Sequence, residues 1–588
     1  AINNNAFVVN LDTVELKHDF KLSSVFDSVL VIPLDNKEVV IGKLNRVDVY
    51  KDLIIVLDAE FAKGVFAFDK TGHLLYKIGN VGFGPEEYAS CTDFAIDHEL
   101  GFIYIYDRLG HQIYVYDVNT GQVLKIDKGV YDYLKNAGRE VDELSLEKVN
   151  LLKKEGFLKS NRVKITEHPY TLLLPDALQT RVCNLILQVT QNCNLRCEYC
   201  IYSGNYDTRK HSNNRMSFEI AKKSIDFLIE HSKKRHKIYI GFYGGEPLLE
   251  FSLIKKCIEY IEKVAVGKEI GYVMTTNATL FTDEIIDYIV KHKFKLTISV
   301  DGPREIHNRS RIFANREEGS YDIMIKNVEK IHLKYPKYYQ ECVKFNTVVL
   351  TDDGFSCLEN YFRGDELFAD AYFSSSTVST AYSKKDKKVN YEIGDKFIQE
   401  QQYELFKLFL GKLEKLDLKY TSVLLNGYFS YLKRLETSRG QNGRMALPEK
   451  WHRGGPCIPG VTRMFVTTEG KILPCERVCE IADISHIGDV EKGIDINKAQ
   501  NILNIEKFTE DKCHECWAYS ECTTCLQCCD SNADTIRPNI LKRCKQVKNT
   551  LEDALKDNAV LSELGYDFES DSMIGNPERI LDEELYDV

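Results

Sequence analysis

The chain of 588 residues is long enough for three or four domains, and 44% hydrophobic and 28% charged residues are ordinary values for a globular protein. No apolar stretch approaches the length of a membrane span, and no signal peptide is visible after Ala1. The net charge of −11 comes mainly from residues 551–588, which hold twelve acidic and two basic residues. Because the remainder is close to neutral, a nucleic-acid-binding body is not expected.

The eighteen cysteines are unevenly distributed along the chain. Three lie within 193–200, ten lie within 457–544, and five are scattered elsewhere. Short spacings in two groups favour metal clusters over a disulfide framework. Such clusters need reducing conditions, so we expect a cytoplasmic protein of an anaerobe.

Residues 1–110 are predicted to form β-rich repeats. The segment 58–78 recurs in outline as 107–126, with alternating apolar and polar residues between turns that contain Asp and Gly. The stretch 78–88 resembles the blade connections of six-bladed β-propeller proteins from gut Bacteroidales. A closed propeller needs roughly four to eight blades. Two units therefore predict a truncated propeller, a small β-module on the next domain, or a blade pair completed by a partner chain.

Residues 111–182 are predicted to hold a β-hairpin, 113–126, followed by helices at about 129–136 and 144–155. Four apolar residues of the second helix are expected to share one face: Leu144, Val149, Leu151 and Leu152. This order resembles the leader-recognition module of many peptide-maturing enzymes, in which a precursor peptide adds a strand to a sheet edge. A plain packing domain explains the pattern equally well.

A predicted buried strand, 184–190, leads into a loop that carries Cys193, Cys197 and Cys200 in the spacing C-x3-C-x2-C. Three thiolates this close together can hold three corners of a cubane iron–sulfur cluster. The fourth iron is then free to bind a substrate or cofactor. A zinc site or separately buried thiols are the alternatives.

This loop resembles the cluster loop of the radical S-adenosylmethionine (AdoMet) enzymes. The resemblance implies that the open iron binds the amine and carboxylate of AdoMet. It further implies that one electron breaks a carbon–sulfur bond and frees a 5′-deoxyadenosyl radical. Tyr199, which precedes the third cysteine, is then expected beside the adenine.

Residues 183–390 alternate strands and helices at the rhythm of parallel strands with right-handed crossovers. Six strands are predicted, at 184–190, 237–243, 270–276, 294–300, 343–350 and 370–375. Predicted helices between them include 217–232, 248–264, 283–292 and 321–333. The fold class is therefore α/β, and the resemblance implies a partial (β/α)6 TIM-type barrel. Chemistry in such barrels gathers at the carboxyl ends of the strands.

The second predicted strand ends at Gly244-Gly245-Glu246-Pro247. Paired glycines let backbone groups approach a ligand closely. The resemblance implies that this motif binds the methionyl amine of AdoMet, with Glu246 supplying the charge. A generic Gly-Gly turn is the alternative.

Polar residues also follow the next two predicted strands. Asn277 is expected to face the methionyl group. The run from Ser299 through Asp301 resembles the family's ribose-side and substrate-side loop, followed by His307, Arg309 and Arg311. Asp301 has two open interpretations, a ligand-side residue or a turn former. No local pattern identifies a catalytic proton acceptor, so the catalytic residue is unknown.

Two segments are assigned packing or tail roles. Residues 391–456 are predicted to form a helical linker, with helices over 397–418 and 423–435. Residues 546–588 are predicted to form an acidic tail that begins as a short amphipathic helix.

Residues 457–545 hold the second group of cysteines, with a predicted β-hairpin, 465–475, inside it. The group resembles the SPASM extension of radical AdoMet enzymes, which carries up to two auxiliary [4Fe–4S] clusters. One cluster is then implied on Cys513, Cys516, Cys522 and Cys544. Zinc is the alternative for such paired cysteines.

The second auxiliary cluster is implied to begin with Cys457 and Cys475. The family pattern places a ligand four residues after Cys522, where this chain has Leu526. Its completion therefore stays open, with Cys529 the chosen ligand. The alternatives are Cys479, Cys525 and Cys528.

The motifs together predict a radical AdoMet/SPASM enzyme that matures a ribosomally made peptide. It would cleave AdoMet reductively, remove a hydrogen from a precursor peptide, and form a thioether or carbon–carbon link. A flavodoxin or ferredoxin is expected to supply the electron. The rivals are an anaerobic sulfatase-maturating enzyme that makes formylglycine, and a non-catalytic β-blade and Fe–S scaffold.

Overall fold

A computed structural model describes most of the chain, namely residues 31–34, 39–81, 87–88, 91–97, 102–107, 113–135, 142–159, 161–350, 354–369, 371–378, 383–384, 393–441, 447–454, 457–528 and 533–568. Two compact units are distinguished. The first comprises 1–114 and 125–140, and the second comprises 115–124 and 141–588.

The first unit is β-rich, as predicted. Its strands are β1 Arg46–Tyr50, β2 Leu53–Asp58, β3 Gly64–Asp69, β4 Leu74–Ile78, β5 Asn80–Val81, β6 Glu87–Tyr88, β7 Cys91–Asp97 and β8 Phe102–Asp107, with β9 Ile113–Asp117 and β10 Gln122–Ile126 at the boundary of the units. Strands β1 to β4 form one antiparallel sheet, and the described remainder forms separate pairs. A propeller is therefore not confirmed.

Strands β2 and β3 are buried on both faces. Alternate residues of a strand point to opposite faces of the sheet, so each strand contributes side chains to two separate clusters. Ile55 and Val65 pack with Phe94 in one cluster. Val56 and Phe66 pack in another. The apolar run in β3 thus reflects burial between two layers.

The second unit contains a ten-stranded sheet. Its strands are β12 Asn184–Thr190, β13 Lys237–Gly244, β14 Glu269–Thr276, β15 Lys295–Ser299, β16 Val343–Val349, β17 Tyr372–Thr377, β19 Met464–Val466, β20 Lys471–Leu473, β21 Gly488–Asp489 and β22 Gly493–Ile494, while β11 Ile165–Thr166 pairs separately with β18 Lys450–Trp451. Strands β12 to β17 are parallel and lie in chain order. The six predicted barrel strands are confirmed.

The helices complete this α/β arrangement. They are α1 Lys128–Lys135, α2 Glu143–Lys154, α3 Leu174–Thr180, α4 Phe218–Glu230, α5 Phe251–Val264, α6 Asp283–Lys291, α7 Arg304–Ser310, α8 Tyr321–Lys334, α9 Pro336–Cys342, α10 Phe355–Gly364, α11 Asp395–Lys412, α12 Asn426–Gln441, α13 Ile496–Leu503, α14 Glu510–Cys513 and α15 Ala533–Glu563. Most begin at a side-chain cap or an acidic first turn; for example, Ser217 accepts a hydrogen bond from the Ile220 amide at α4. Among the described helices, none combines the length and apolarity that a membrane span needs.

The predicted C-terminal hairpin is confirmed, but its position was not foreseen. Strand β19 pairs in parallel with the first barrel strand, with Leu185 opposite Met464 and Leu187 opposite Val466. The cysteine-rich region is therefore continuous with the barrel sheet. One apolar core runs through both, from Leu185 and Ile240 to Phe465 and Ile472.

Two helix predictions need correction. Helix α2 does not bury one apolar face, because Val149 is buried while Leu144 and Leu151 are 60% and 54% exposed. The short helix predicted near the C-terminus is part of a longer helix, α15, which begins at Ala533, contains 31 residues and includes Cys544. The acidic residues beyond 568 lie outside the described residues.

Candidate functional site

The cluster loop leaves the carboxyl end of β12 and keeps its three predicted thiols close together. The Leu195 amide lies 3.3 Å from the Cys193 sulfur, and the Tyr202 amide lies 3.4 Å from the Cys200 sulfur. Burial, the Glu246 carboxylate and the nearby thiols of Cys197 and Cys200 raise the pKa of Cys193. Amide N–H groups aimed at sulfur are suited to stabilise thiolates that bind iron.

The two glycines at the end of β13 let this strand approach the cluster loop. Gly244 has a φ of +142°, and a Cβ atom there would stand 2.0 Å from the Thr190 carbonyl oxygen. A Cβ on Gly245 would meet the Asn192 carbonyl oxygen at the same distance. The Gly245 amide donates to Thr190 and the Glu246 amide donates to Asn192. The glycine pair therefore joins the two loops that form the site.

Glu246 is a buried carboxylate that accepts three hydrogen bonds. Its donors are the Leu248 amide at 3.1 Å, the Thr276 hydroxyl at 2.8 Å and the Asn277 amide at 2.8 Å. Burial raises the pKa of Glu246 to about 7 although these bonds act to lower it. Within the described residues, no Lys, Arg or His forms an ion pair with it. Its position fits a cationic ligand group.

Asn277 connects Glu246 with the cluster loop. Its side-chain nitrogen, Nδ2, donates to the Asn194 side-chain oxygen at 2.9 Å and lies 3.8 Å from the Cys193 sulfur. Pro247 begins a short 3-10 helix, Pro247–Glu250. Ser299 ends β15 and is half-buried. Apart from Tyr199, which lies on the cluster loop, the predicted AdoMet residues thus lie at the carboxyl ends of β13, β14 and β15.

Tyr199 and Asp301 form a buried network that sequence reasoning did not predict. The Tyr199 hydroxyl donates to Asp301, whose carboxylate also accepts from Arg311 Nε at 2.7 Å and from the Val348 amide at 3.1 Å. Burial acts to lower the pKa of Arg311, but the Asp301 carboxylate outweighs it, so this pKa is raised well above its ordinary value. Arg311 also lies 4.0 Å from the Cys197 sulfur. Asp301 therefore fixes an arginine beside the cluster loop.

A cleft of about 490 Å³ opens beside the cluster loop. Its lining comes from the cluster loop, the end of the 3-10 helix and a loop after α7: Asn192, Cys193, Asn194, Arg196, Leu249, Phe313, Ala314, Asn315 and Arg316. No three His, Cys, Asp or Glu side chains in the described part of the chain form a group that could hold a metal ion. A cubane sets a different requirement, since each thiolate binds a separate iron.

Four cysteines predicted to share an auxiliary cluster line one cavity of about 280 Å³. They are Cys513, Cys516, Cys522 and Cys544. Cys513 ends α14, and Cys544 is contributed by α15, so a long helix brings a distant thiol to the others. The chemistry of this donor set fits a [4Fe–4S] cluster.

The remaining cysteines of the second group are less clearly arranged. Cys457 is exposed, Cys475 and Cys525 are half-buried, and Cys479 is buried. Burial raises the pKa of Cys475 to about 11. Cys529, the third predicted ligand of this cluster, lies outside the described residues, as does the environment of the Cys528 side chain. The second auxiliary cluster stays a prediction.

Arg209 links the segment after the cluster loop to the segment after Cys475. Its Nε donates to Glu480 at 2.6 Å, and its Nη1 donates to the Glu476 carbonyl at 2.6 Å. Glu480 also accepts from the Gln188 and Gln191 side chains at 2.9 Å. Sequence patterns gave no signal for this buried pair, because its partners are far apart along the chain.

Comparison with known families identifies two segments. Residues 187–363 match the radical SAM superfamily, and residues 6–176 match a domain of unknown function, DUF4934.

Several known proteins share part of this sequence. The serine-type anaerobic sulfatase-maturating enzyme of Bacteroides thetaiotaomicron is 36% identical over 20% of this chain and 29% of that protein. The radical SAM cyclopropyl synthase TigE of Paramaledivibacter caminithermalis is 31% identical over 30% of this chain and 37% of that protein. The matched regions therefore span less than half of these relatives. Among solved structures, native anSMEcpe with bound AdoMet aligns with a TM-score of 0.49 and 20% identity, over 64% of this chain and 99% of that one.

Proposed function

We propose that this chain, whose residues 187–363 match the radical SAM superfamily, is a radical SAM enzyme that matures a ribosomally made precursor peptide. It cleaves AdoMet reductively, removes a hydrogen from the peptide, and forms a thioether or carbon–carbon link. The cluster and AdoMet supply the hydrogen-abstracting chemistry when bound. The protein binds both, orients the peptide and excludes water from the barrel.

The observation that carries AdoMet binding is the unpaired charge of Glu246. A buried carboxylate is costly unless a cation or several donors compensate it. Three donors surround Glu246, but they are two backbone amides and a hydroxyl, so none supplies a positive charge, and burial raises the pKa of this carboxylate. The methionyl amine of AdoMet supplies the missing positive charge. Gly244, Gly245 and Pro247 shape this loop, while Asn277, Ser299 and Tyr199 are proposed to contact the rest of AdoMet.

We assign the predicted thiols to three clusters. Cys193, Cys197 and Cys200 hold the cluster that binds AdoMet. Cys513, Cys516, Cys522 and Cys544 hold one auxiliary [4Fe–4S] cluster, as their shared cavity supports. Cys457, Cys475 and Cys529 contribute to a second. A flavodoxin or ferredoxin supplies the electron, and the cleft beside Cys193 is its proposed approach.

A polypeptide substrate is favoured by the relatives, because sulfatase-maturating enzymes are named for their action on another protein. A cross-link is favoured over formylglycine by the hairpin of β9 and β10, followed by α1 and α2, which has the order of a leader-recognition module. An extended precursor would add to a sheet edge there through backbone hydrogen bonds.

The second candidate is an anaerobic sulfatase-maturating enzyme, favoured by the 36% identity to the Bacteroides thetaiotaomicron protein. Reduced, reconstituted protein is first tested for conversion of AdoMet to 5′-deoxyadenosine. A candidate precursor peptide is then added and its mass measured. Loss of two hydrogens in a cross-linked fragment supports the proposal. An aldehyde captured by a hydrazine reagent supports the second candidate, and absence of 5′-deoxyadenosine refutes both.

A further inference from the structure

The cavity lined by Cys513, Cys516, Cys522 and Cys544 contains a buried arginine that forms no salt bridge with a carboxylate in the described part of the chain. Arg453 is 2% exposed and lines this cavity. Its Nη1 donates to the Cys522 sulfur at 3.1 Å and to the Thr524 carbonyl oxygen at 2.8 Å. Its Nε and Nη2 are buried and have no hydrogen-bond partner among the described residues.

Glu506 acts on this guanidinium through its charge, but no salt bridge joins the two side chains among the described residues. Glu506 accepts from the backbone amide of Arg453 at 2.7 Å and from the Tyr519 hydroxyl at 3.1 Å. Burial acts to lower the pKa of Arg453, but Cys522, Cys513 and the Glu506 carboxylate together outweigh it, so this pKa is raised. The protein therefore holds a cation with two unpartnered donor nitrogens, Nε and Nη2, in a cavity lined by cysteine sulfurs.

The backbone around Arg453 fixes this position. Glu506 receives the Arg453 amide, and the His452 ring accepts from the Glu506 amide at 3.2 Å. The next residue, Gly454, has no room for a side chain, because a Cβ there would stand 2.7 Å from the Ser520 carbonyl oxygen. The backbone of Arg453 is thus fixed by contacts that do not involve the guanidinium, and the bond from Nη1 to the Thr524 carbonyl oxygen holds the guanidinium beside Cys522.

We propose that Arg453 is a positioning residue that sets the reduction potential of the auxiliary cluster held by Cys513, Cys516, Cys522 and Cys544. One-electron reduction of a cluster with four thiolates adds a negative charge. A nearby buried cation stabilises the reduced state more than the oxidised one, and so do hydrogen bonds to sulfur. Arg453 therefore raises the potential and makes this cluster easier to reduce.

The inference rests on the cluster assignment made in the proposed function, and its test needs no peptide substrate. The background variant replaces Cys193, Cys197 and Cys200, and also Cys457 and Cys475, by alanine. These changes remove the ligands of the radical cluster and of the proposed second auxiliary cluster, and with them their signals. Iron and sulfide are reconstituted anaerobically, and the reduced cluster is followed by electron paramagnetic resonance during a redox titration. Arg453→Gln is expected to lower the equilibrium constant for reduction at least tenfold, or about 59 mV for one electron.

Two further variants separate charge from packing. Arg453→Lys keeps the charge and is expected to retain most of the potential. Lys548→Gln also removes a charge from the cavity lining, but Lys548 is only half-buried, so water screens it. We expect less than a threefold change there.

An unchanged potential in Arg453→Gln with full iron content overturns the inference. If the Arg453→Gln variant fails to hold the cluster, the iron and sulfide content of the Arg453→Lys variant distinguishes a role of charge from a role of packing. Restoration of the cluster by lysine supports the role of charge, whereas its loss assigns Arg453 to packing and overturns the inference. If the background variant binds no iron after reconstitution, the auxiliary cluster in this cavity is refuted. AdoMet cleavage by the wild-type protein tests the proposed function independently of this result.

Discussion

The proposed radical site, formed by the cluster loop and Glu246, and the auxiliary cavity, lined by Cys513, Cys516, Cys522 and Cys544, each contain one buried charged side chain that forms no salt bridge among the described residues. The two charges have opposite signs. The radical site has the carboxylate of Glu246, and the auxiliary cavity has the guanidinium of Arg453. A lone buried charge is destabilising unless a ligand neutralises it. The radical site is therefore suited to a cation, and the auxiliary cavity to an anionic cluster. The pair of Asp301 and Arg311, which is neutral as a unit, provides the reference for both.

The largest effect is expected when the paired reference is broken. Arg311→Met leaves the Asp301 carboxylate buried without a cation, which costs about 3–5 kcal/mol in the free energy of unfolding. Adding Asp301→Asn should recover most of this loss, because no uncompensated charge then remains. Chemical denaturation of cluster-loaded protein under anaerobic conditions measures both variants. A loss below about 1 kcal/mol in the single variant would show that solvent reaches this pair.

The next largest effect concerns the lone carboxylate. Glu246→Gln removes the negative charge and is expected to weaken AdoMet binding about 10- to 100-fold, the range for a hydrogen bond to a charged group. Isothermal titration of AdoMet into cluster-loaded protein measures this change. The matched control is Glu359→Gln, since Glu359 is also fully buried and accepts from the Val423 and Leu424 amides. Equal weakening in both variants would contradict a specific role for Glu246.

The pH dependence distinguishes stability from ligand binding. Burial raises the pKa values of Glu246 and Glu359 to about 7, above the ordinary 4.5 of the unfolded chain. The folded protein then binds more protons than the unfolded one, so both groups contribute stability at low pH that is lost as the pH rises from 4.5 to 7. AdoMet affinity should change in the opposite direction, rising about tenfold per pH unit below pH 7, because only the ionised carboxylate attracts the amine.

Denaturation and AdoMet titration at several pH values check these two trends. Glu246→Gln should flatten the rise in affinity while leaving the Glu359 contribution to stability. An affinity that does not change with pH in the wild-type protein would remove Glu246 as the amine's counter-charge.

The sequence predicted the parts of each site that depend on local spacing. Cys193, Cys197 and Cys200 are neighbours in one loop, and the six barrel strands are short apolar runs between helices, so both were found. The partners of the buried charged side chains were not predicted from the sequence, because only the fold brings these residues together. Arg453 and Cys522 are 69 residues apart, and Asp301 meets Tyr199 across 102.

The errors have related causes. Spacing placed Leu144, Val149 and Leu151 on one helix face, but burial depends on what the helix packs against, and only Val149 is covered. Periodicity gave no sign that β19 would extend the barrel sheet beside β12, since parallel pairing between distant segments leaves no local pattern.

The smallest expected effect is that of removing a neutral hydrogen bond to sulfur in the auxiliary cavity. It tests whether the charge of Arg453, rather than any hydrogen bond to sulfur, sets the reduction potential. The Thr509 hydroxyl lies 3.3 Å from the Cys513 sulfur, at a site with no charge of its own. Thr509→Val keeps the shape and removes one neutral hydrogen bond, worth about 0.5–1.5 kcal/mol. Only the part that differs between oxidised and reduced cluster affects the potential, so we expect at most a threefold change in the reduction constant. The redox titration used for Arg453→Gln measures it, and a change as large as in that variant would mean that sulfur hydrogen bonding alone sets the potential.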